Sequence, residues 1–303
     1  MNETNVLLVV SDPSSRADLT SCLRDTPGIR LHTAKDPDEA MSELQGISHR
    51  FDLLILDSHM HDPASKGIVE HIKGDRRLAT TPIVLLTPTQ PTAGQLRDGA
   101  ATGAYHFLVM PANHDTILAV VHAALVKSSF RNFLRRQMGT PAERPELLSN
   151  CEFSIRTLEE AGELAALIAQ ACPNTEAALF GISELLVNGV EHGNLGLTYE
   201  EKSQLALNDQ WKSEIDRRCE LPDNLTKRVR LSFQRTKDQI TLRISDDGQG
   251  FAWQKYLELE PQRACDPNGR GIALARLLSF SSIHYEGCGN VAVATIGPDA
   301  DQH

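Results

Sequence analysis

The side chains best suited to chemistry are concentrated between Ile182 and Asn194. On a helix, residues three and four apart are neighbours, so Glu184, Asn188 and Glu191 share one face. Leu179, Ile182, Leu186 and Val190 form a second, apolar face. Acid and amide groups gathered on one side of an otherwise apolar helix suggest a helix that lines a cleft. Two glycine-bearing loops follow: Asp246-Asp247-Gly248-Gln249-Gly250-Phe251, then Gly269-Arg270-Gly271-Ile272. The second opens a helical stretch, where free N–H groups face anions such as phosphate. A separate set of candidates lies in the first half, at the ends of short apolar runs: Ser11-Asp12, Asp57, Thr87 and Met110-Pro111.

Those runs are Val6–Val10, Ile29–His32, Leu53–Leu56, Ile83–Leu86 and Phe107–Val109. Four helix-like segments lie between them and a fifth begins at about Asn113. Five strand–helix units imply a parallel sheet with helices on both faces, whose chemistry sits at the carboxyl ends of the strands. In the second half, Glu152–Ile155 reads as a strand, Leu158–Ala171 and Thr175–His192 as helices, and Val229–Phe233 and Ile240–Ile244 as strands. Gly271–Ser279 reads as a helix, and Ser282–Tyr285 with Val291–Thr295 as a closing hairpin turned at 287–290. That half is expected to be an α/β sandwich, with helices on one face of an antiparallel sheet.

The strand ends of the first half resemble those of response regulator receiver domains, and the resemblance implies a flavodoxin-like (βα)5 fold for residues 1–127. Asp57 matches the aspartate that accepts a phosphoryl group, Thr87 the switch hydroxyl, and Asp12 the second acid of the Mg2+-binding pair. Two positions depart from the family pattern. Ser11 stands where the first acid is usual, and Met110 stands where a lysine belongs. Methionine offers no cation to a phosphoryl group, which removes a charge-assisted contact of about 1.5–3 kcal/mol. Asp12 and Asp57 could still hold a Mg2+. Two readings stand: a receiver phosphorylated at Asp57 by a small donor or an upstream histidine kinase, or a receiver fold kept for docking or dimerisation.

His114 to Met138 is one long helical pattern, with apolar residues at Ile117, Val120, Val121, Leu125, Phe130 and Leu134. Arg131, Arg135 and Arg136 near its end suit the helix macrodipole, and could also meet an acidic partner. Pro141 and Pro145 stop the pattern, so residues 128–149 are expected to link two domains. His122 is followed by Ala123 rather than an acid, and no second long helix follows. It is read as a packing or surface residue, not as a phosphoaccepting histidine.

The order acid/amide helix, Asp-x-Gly-x-Gly loop, Gly-x-Gly loop resembles the N, G1 and G2 boxes of the Bergerat-type (GHKL) ATPases, which include histidine kinases, type II topoisomerases and anti-sigma factor kinases. The resemblance implies a Bergerat ATP-binding domain over residues 150–297, followed by a tail at 298–303. It implies ATP and Mg2+ as cofactors. Asn188 matches the Mg2+ ligand, Glu184 the general base, and Asp246 the acid that bonds the adenine amino group. Gly248 and Gly250 are expected to clear space where the backbone passes the base, and Gly269 and Gly271 to face phosphate. His192 and Asn194 end the helix, with a C-cap at Gly196. Asp247 is read as a solvated loop acid. The insert 198–228, with Leu207, Trp211 and Ile215 at a spacing of four, is read as packing on its own domain. Residues 252–268, with Trp253, Tyr256 and Leu257, would form the ATP lid.

The 303 residues suit two domains, and 41% hydrophobic with 23% charged residues is a globular composition. The formal net charge of -10 argues against nucleic acid or anionic lipid as the main partner. Six scattered cysteines without a CxxC pattern suit reduced thiols. No basic leader is visible, and no apolar stretch approaches the roughly 20 residues that span a membrane. The expectation is a cytoplasmic, homodimeric signalling protein in which a degenerate receiver regulates a Mg-ATP-dependent serine/threonine kinase of the anti-sigma type, acting on a protein partner such as an anti-sigma antagonist. Two alternatives remain. One is a nucleotide-switched module that sequesters a partner such as a sigma factor. The other is a histidine-kinase-like enzyme acting on a separate phosphotransfer protein.

Overall fold

The computed structural model describes residues 4–46, 51–57, 68, 71–72, 74–75, 78, 81–101, 104–137, 148–208, 210–257 and 269–297. The chain forms two compact units, the first ending at Phe130 and the second beginning at Arg131.

The first unit is a parallel sheet of β1 (Thr4–Val9), β2 (Ile29–Ala34), β3 (Leu53–Asp57), β4 (Ile83–Thr87) and β5 (Ala104–Val109), in the order β2-β1-β3-β4-β5. Its helices are α1 (Pro13–Arg24), α2 (Pro37–Gly46), α3 (Ala93–Ala101) and α4 (His114–Gln137). The helix expected between β3 and β4 falls largely outside the described residues. Both sheet faces are buried, as a parallel sheet requires. Val6, Leu8, Leu53, Ile55, Val84 and Leu108 pack with Leu19 and Leu23 of α1 and with Ile117, Val120 and Val121 of α4. The alternate residues Leu7, Val9, Leu54 and Leu56 pack with Ala40 and Leu44 of α2. The order reverses at β1, so the ends of β1 and β3 sit at the switch point where α/β sheets bind ligands.

The second unit is an antiparallel sheet, β6 (Asn150–Ile155), β7 (Val229–Arg235), β8 (Ile240–Ser245), β9 (Ser282–Glu286) and β10 (Val291–Ile296), in the order β6-β7-β8-β10-β9. Period-two alternation buries one face: Val229, Leu231 and Phe233 in β7, and Ile240, Leu242 and Ile244 in β8. The helices are α5 (Leu158–Ala169), α6 (Thr175–Asn188), α7 (Tyr199–Leu207), α8 (Trp211–Cys219) and α9 (Gly271–Leu278). α6 packs against both α5 and α9. Capping boxes at Thr157/Glu160 and Thr198/Glu201 start α5 and α7, each satisfying two end N–H groups.

The α-helix expected over 175–192 stops at Asn188 and continues as a π-helical turn, Gly189–Asn194. The Leu195 N–H donates to the Val190 carbonyl, the five-residue spacing of that turn. Gly196 follows at φ +61°, the left-handed residue that ends the element. No helix among the described residues is long and apolar enough to cross a membrane.

Candidate functional site

The second unit contains a cleft of about 290 Å3 between α6, the start of α7, the β8 end and the β9–β10 turn. Asn188 and His192 face it from one side, Tyr199 from another, and Ile244, Ile272 and Ala292 make its apolar floor. Asp246 lies at the end of β8 and also lines it. Its Oδ1 accepts the Gly248 N–H at 2.9 Å. Burial pushes the Asp246 pKa up from 3.8 to about 6, against the lowering effect of the Gly248 bond; the charge of Asp247 raises it further. A carboxylate in a largely apolar recess, with one oxygen in use, has the other available to a donor on a ligand.

Glu184 lies one helical turn before Asn188, and its carboxylate lies against Gly271, where an added Cβ would collide with it. Helix α6 therefore brings the expected base to the start of α9, whose N-cap residue Arg270 makes no side-chain capping bond. A helix start of this kind, with its backbone N–H groups pointing outward, suits an anion. Gly269, at φ +86°, supplies the left-handed bend that aims this end. Glu184, Asn188, Asp246, Gly250, Gly269 and Gly271 thus belong to one neighbourhood built by α6, the β8 end and the α9 start.

Two expectations change and one is extended. Glu191 does not share the face of Glu184 and Asn188. The π-helical turn widens the winding after Asn188, and Glu191 is fully buried, with its carboxylate bonded to Trp211 Nε1 at 2.9 Å and Lys202 Nζ at 2.5 Å. The G1 glycines also make room for protein, a role the motif does not show. A Cβ on Gly248 would strike the Gly193 carbonyl, and one on Gly250, at φ +76°, would strike the Cys288 carbonyl. Asp247 is not a merely solvated acid: it pairs with Arg230 at 2.7 Å, accepts the Arg228 N–H at 2.9 Å and donates its own N–H to Asn194 Oδ1 at 2.9 Å. These bonds fasten the loop that carries Asp246.

Aromatic residues complete the cleft. Tyr199, Phe251, Tyr256 and Tyr285 line it, and Thr198 and Tyr199 bring the insert 198–228 into its wall. His192 contacts the Tyr199 ring with centroids 4.4 Å apart. Burial holds His192 below the usual imidazole pKa, although Glu191 opposes this. Its Nδ1 bonds the Leu197 carbonyl, which requires the proton on that nitrogen and leaves Nε2 as an acceptor. Aromatic residues interrupting a charged insert were the one available signal.

In the first unit, Ser11, Asp12, Asp57, Thr87 and Met110 collect at the carboxyl ends of β1, β3, β4 and β5. Solved structures similar to this chain cover that unit. A chemotaxis response regulator of Vibrio cholerae is 30% identical over 41% of this chain and 100% of its own, with a TM-score of 0.37. A response regulator from Chloroflexus aurantiacus is 22% identical over 41% of this chain and 99% of its own, at 0.37. The receiver domain of an HD domain-containing protein from Pseudomonas fluorescens Pf-5 is 24% identical over 42% and 98%, at 0.36. The N-terminal region matches response regulator receiver domains. No protein-family model matches the chain, and no curated protein matches it.

The receiver region shows what its two unusual residues do. Ser11 Oγ donates to Asp57 Oδ2 at 2.8 Å, so the hydroxyl that replaces an acid binds the expected acceptor directly. Met110 is buried in the apolar cluster with Val10, Leu86 and Leu108. Asp12 caps α1 by accepting the Ser15 N–H at 2.7 Å, and that backbone bond holds its pKa below the usual value. Thr87 is buried at the end of β4. Among the described residues no group of three or more His, Cys, Asp or Glu is placed to hold a metal ion.

Proposed function

We propose that the second unit binds Mg-ATP and transfers its terminal phosphoryl group to a serine or threonine hydroxyl of a protein partner, under the influence of the receiver region. The observation that carries this reading is the cleft lined by a recessed carboxylate at Asp246 and an amide at Asn188, with the Glu184 carboxylate one helical turn before Asn188 and against Gly271 at the start of α9. The donor set suits the ligand at each end. Asp246 is ionised above about pH 6 and has Oδ2 left for the exocyclic amino group of a purine. The apolar floor and aromatic walls suit the base itself. Asn188 would hold the cation through a neutral oxygen, and the N–H groups at the α9 start would meet the phosphates.

Mg-ATP brings the transferable phosphoryl group and the cation that offsets its charge. Glu184 would take the proton of the partner's hydroxyl, since it lies beside the helix end where the phosphates rest. Most of the rate gain in such a site comes from positioning and charge stabilisation. In the receiver region, Asp57 would accept phosphate from an upstream kinase or a small donor, with Asp12 and Asp57 holding a hydrated Mg2+. The Ser11 hydroxyl would supply a hydrogen bond in place of a second acid.

Transfer from γ-labelled Mg-ATP into the proteins of a host lysate, wild type beside Glu184→Ala, tests the reading. A labelled band made only by wild type supports a protein kinase and names its substrate. Acid-stable label supports the hydroxyl, and acid-labile, base-stable label would move the acceptor to histidine. No band, with ATP binding intact, would make the unit a nucleotide-switched binding module.

A further inference from the structure

The insert between α6 and β7 does more than pack on its own domain. Its first residues, Thr198 and Tyr199, form one wall of the cleft, and Tyr256 forms the facing wall at the start of the segment read as the lid. The two tyrosine rings meet at 5.6 Å between centroids, tilted by 32°. They come from elements 57 residues apart in sequence and touch at the cleft itself. Behind Tyr199, its ring contacts His192 on the site helix. Behind Tyr256, its Cε1 lies 3.7 Å from the place a Cβ would occupy on Gly269, so the ring rests on the G2 loop.

We propose that Tyr199 and Tyr256 form an aromatic gate over the nucleotide cleft, with Tyr199 held in place by a latch of the buried Glu191 with Lys202 and Trp211. This rests on the nucleotide reading above and adds a device that no motif in the sequence marks. The latch is built around Glu191, which lies in the π-helical turn. Glu191 is completely buried, and a buried carboxylate must be paired and hydrogen-bonded. Lys202, three residues after Tyr199 in α7, and Trp211, the first residue of α8, supply both needs from the insert. The latch therefore fixes the first turn of α7 against the site helix, and with it the position of the Tyr199 ring. A base leaving the cleft must separate a pair of rings that gain by staying together, because aromatic pairs at 4.5–7 Å separation attract beyond their buried area. A bound base also offers its own π-face to those rings, a contact that any purine provides.

The gate acts on the residence time of the nucleotide. The full-length chain is loaded with N-methylanthraniloyl-ATP and Mg2+, which carries its label on the ribose, and release is followed after adding excess ATP. Tyr199→Ala and Tyr256→Ala are each expected to raise the dissociation rate about tenfold. The double variant is expected to release no faster than either single one, since the two rings act as one contact. Tyr199→Phe keeps the ring and is expected to keep the wild-type rate. Tyr199→Leu, which preserves bulk, repeats the test should Tyr199→Ala fail to fold, with the same tenfold expectation. A wild-type rate in the alanine or leucine variants, or effects that multiply in the double variant, would overturn the gate while leaving nucleotide binding standing. A wild-type chain that does not take up the labelled nucleotide overturns the nucleotide reading, and the gate with it.

Discussion

Replacing Asp246 by asparagine is expected to stabilise the second unit near neutral pH while weakening its hold on ATP. Folding raises the Asp246 carboxyl from 3.8 to about 6, chiefly by burial. Each unit corresponds to about 1.36 kcal/mol, so a fully dry site would cost the ionised fold about 3 kcal/mol. The carboxyl keeps some of its surface in water, which reduces the expected cost to about 1–2 kcal/mol. The sign follows from the raised folded value. The cost is complete above about pH 6, shrinks as pH falls toward the unfolded value of 3.8, and is absent below it. Asparagine keeps the Oδ1 that accepts the Gly248 N–H and never ionises. The variant should therefore melt roughly 2–8 °C higher than wild type at about pH 8, with the difference gone near pH 4. The chain has two tryptophans, Trp211 and Trp253, and both lie in the second unit. Thermal unfolding followed by tryptophan emission therefore reports that unit within the intact chain. A variant less stable than wild type at every pH, or a gain that does not change with pH, would refute a desolvated acid at this position. A site that is costly when empty is the usual mark of function traded against stability.

Gly271→Ala drives a Cβ into the Glu184 carboxylate and should cost about 1–3 kcal/mol in urea unfolding, with Mg-ATP affinity reduced. Gly250→Ala meets the Cys288 carbonyl and a φ of +76°, neither of which a rotamer change relieves; about 2–4 kcal/mol of loss is expected in the same assay. Lys202→Met leaves the buried Glu191 carboxylate with Trp211 Nε1 and without its cation, and about 3–5 kcal/mol should be lost, read by tryptophan emission. In the receiver region, Ser11→Asp with Met110→Lys should raise the fraction of chain carrying an acetyl phosphate adduct that is absent from Asp57→Asn controls. Equal adduct fractions by intact mass would mean that neither residue limits phosphorylation.

The first unit was legible because its signals are local. Five apolar runs bounded by polar turns set five strands, and a buried parallel sheet needs little else. The strand-end residues then followed from topology. The second unit's boxes were legible as spacings, and of their residues Asn188, Asp246 and Gly250 line the cleft. Helix arithmetic failed at Glu191, because it assumes the same winding before and after Asn188, and the π-helical turn breaks that assumption. The G1 glycines also sit at chain crossings roughly 40 and more residues away, which no spacing shows: Gly250 against Cys288, and Gly248 against Gly193. Asp247 looked solvated because its partner Arg230 sits on another strand. The insert's role in the cleft was hidden for the same cause. Tyr199 gains meaning only from Tyr256 and His192, and nothing in the spacing of Leu207, Trp211 and Ile215 points to either.

The most direct test of the central claim is calorimetric titration of the full-length chain with ATP and Mg2+, wild type beside Asp246→Ala. One site per chain in wild type, lost in a variant whose tryptophan unfolding transition remains cooperative, is the result expected of a nucleotide cleft at Asp246. No heat of binding in wild type, or equal binding in the variant, would contradict it.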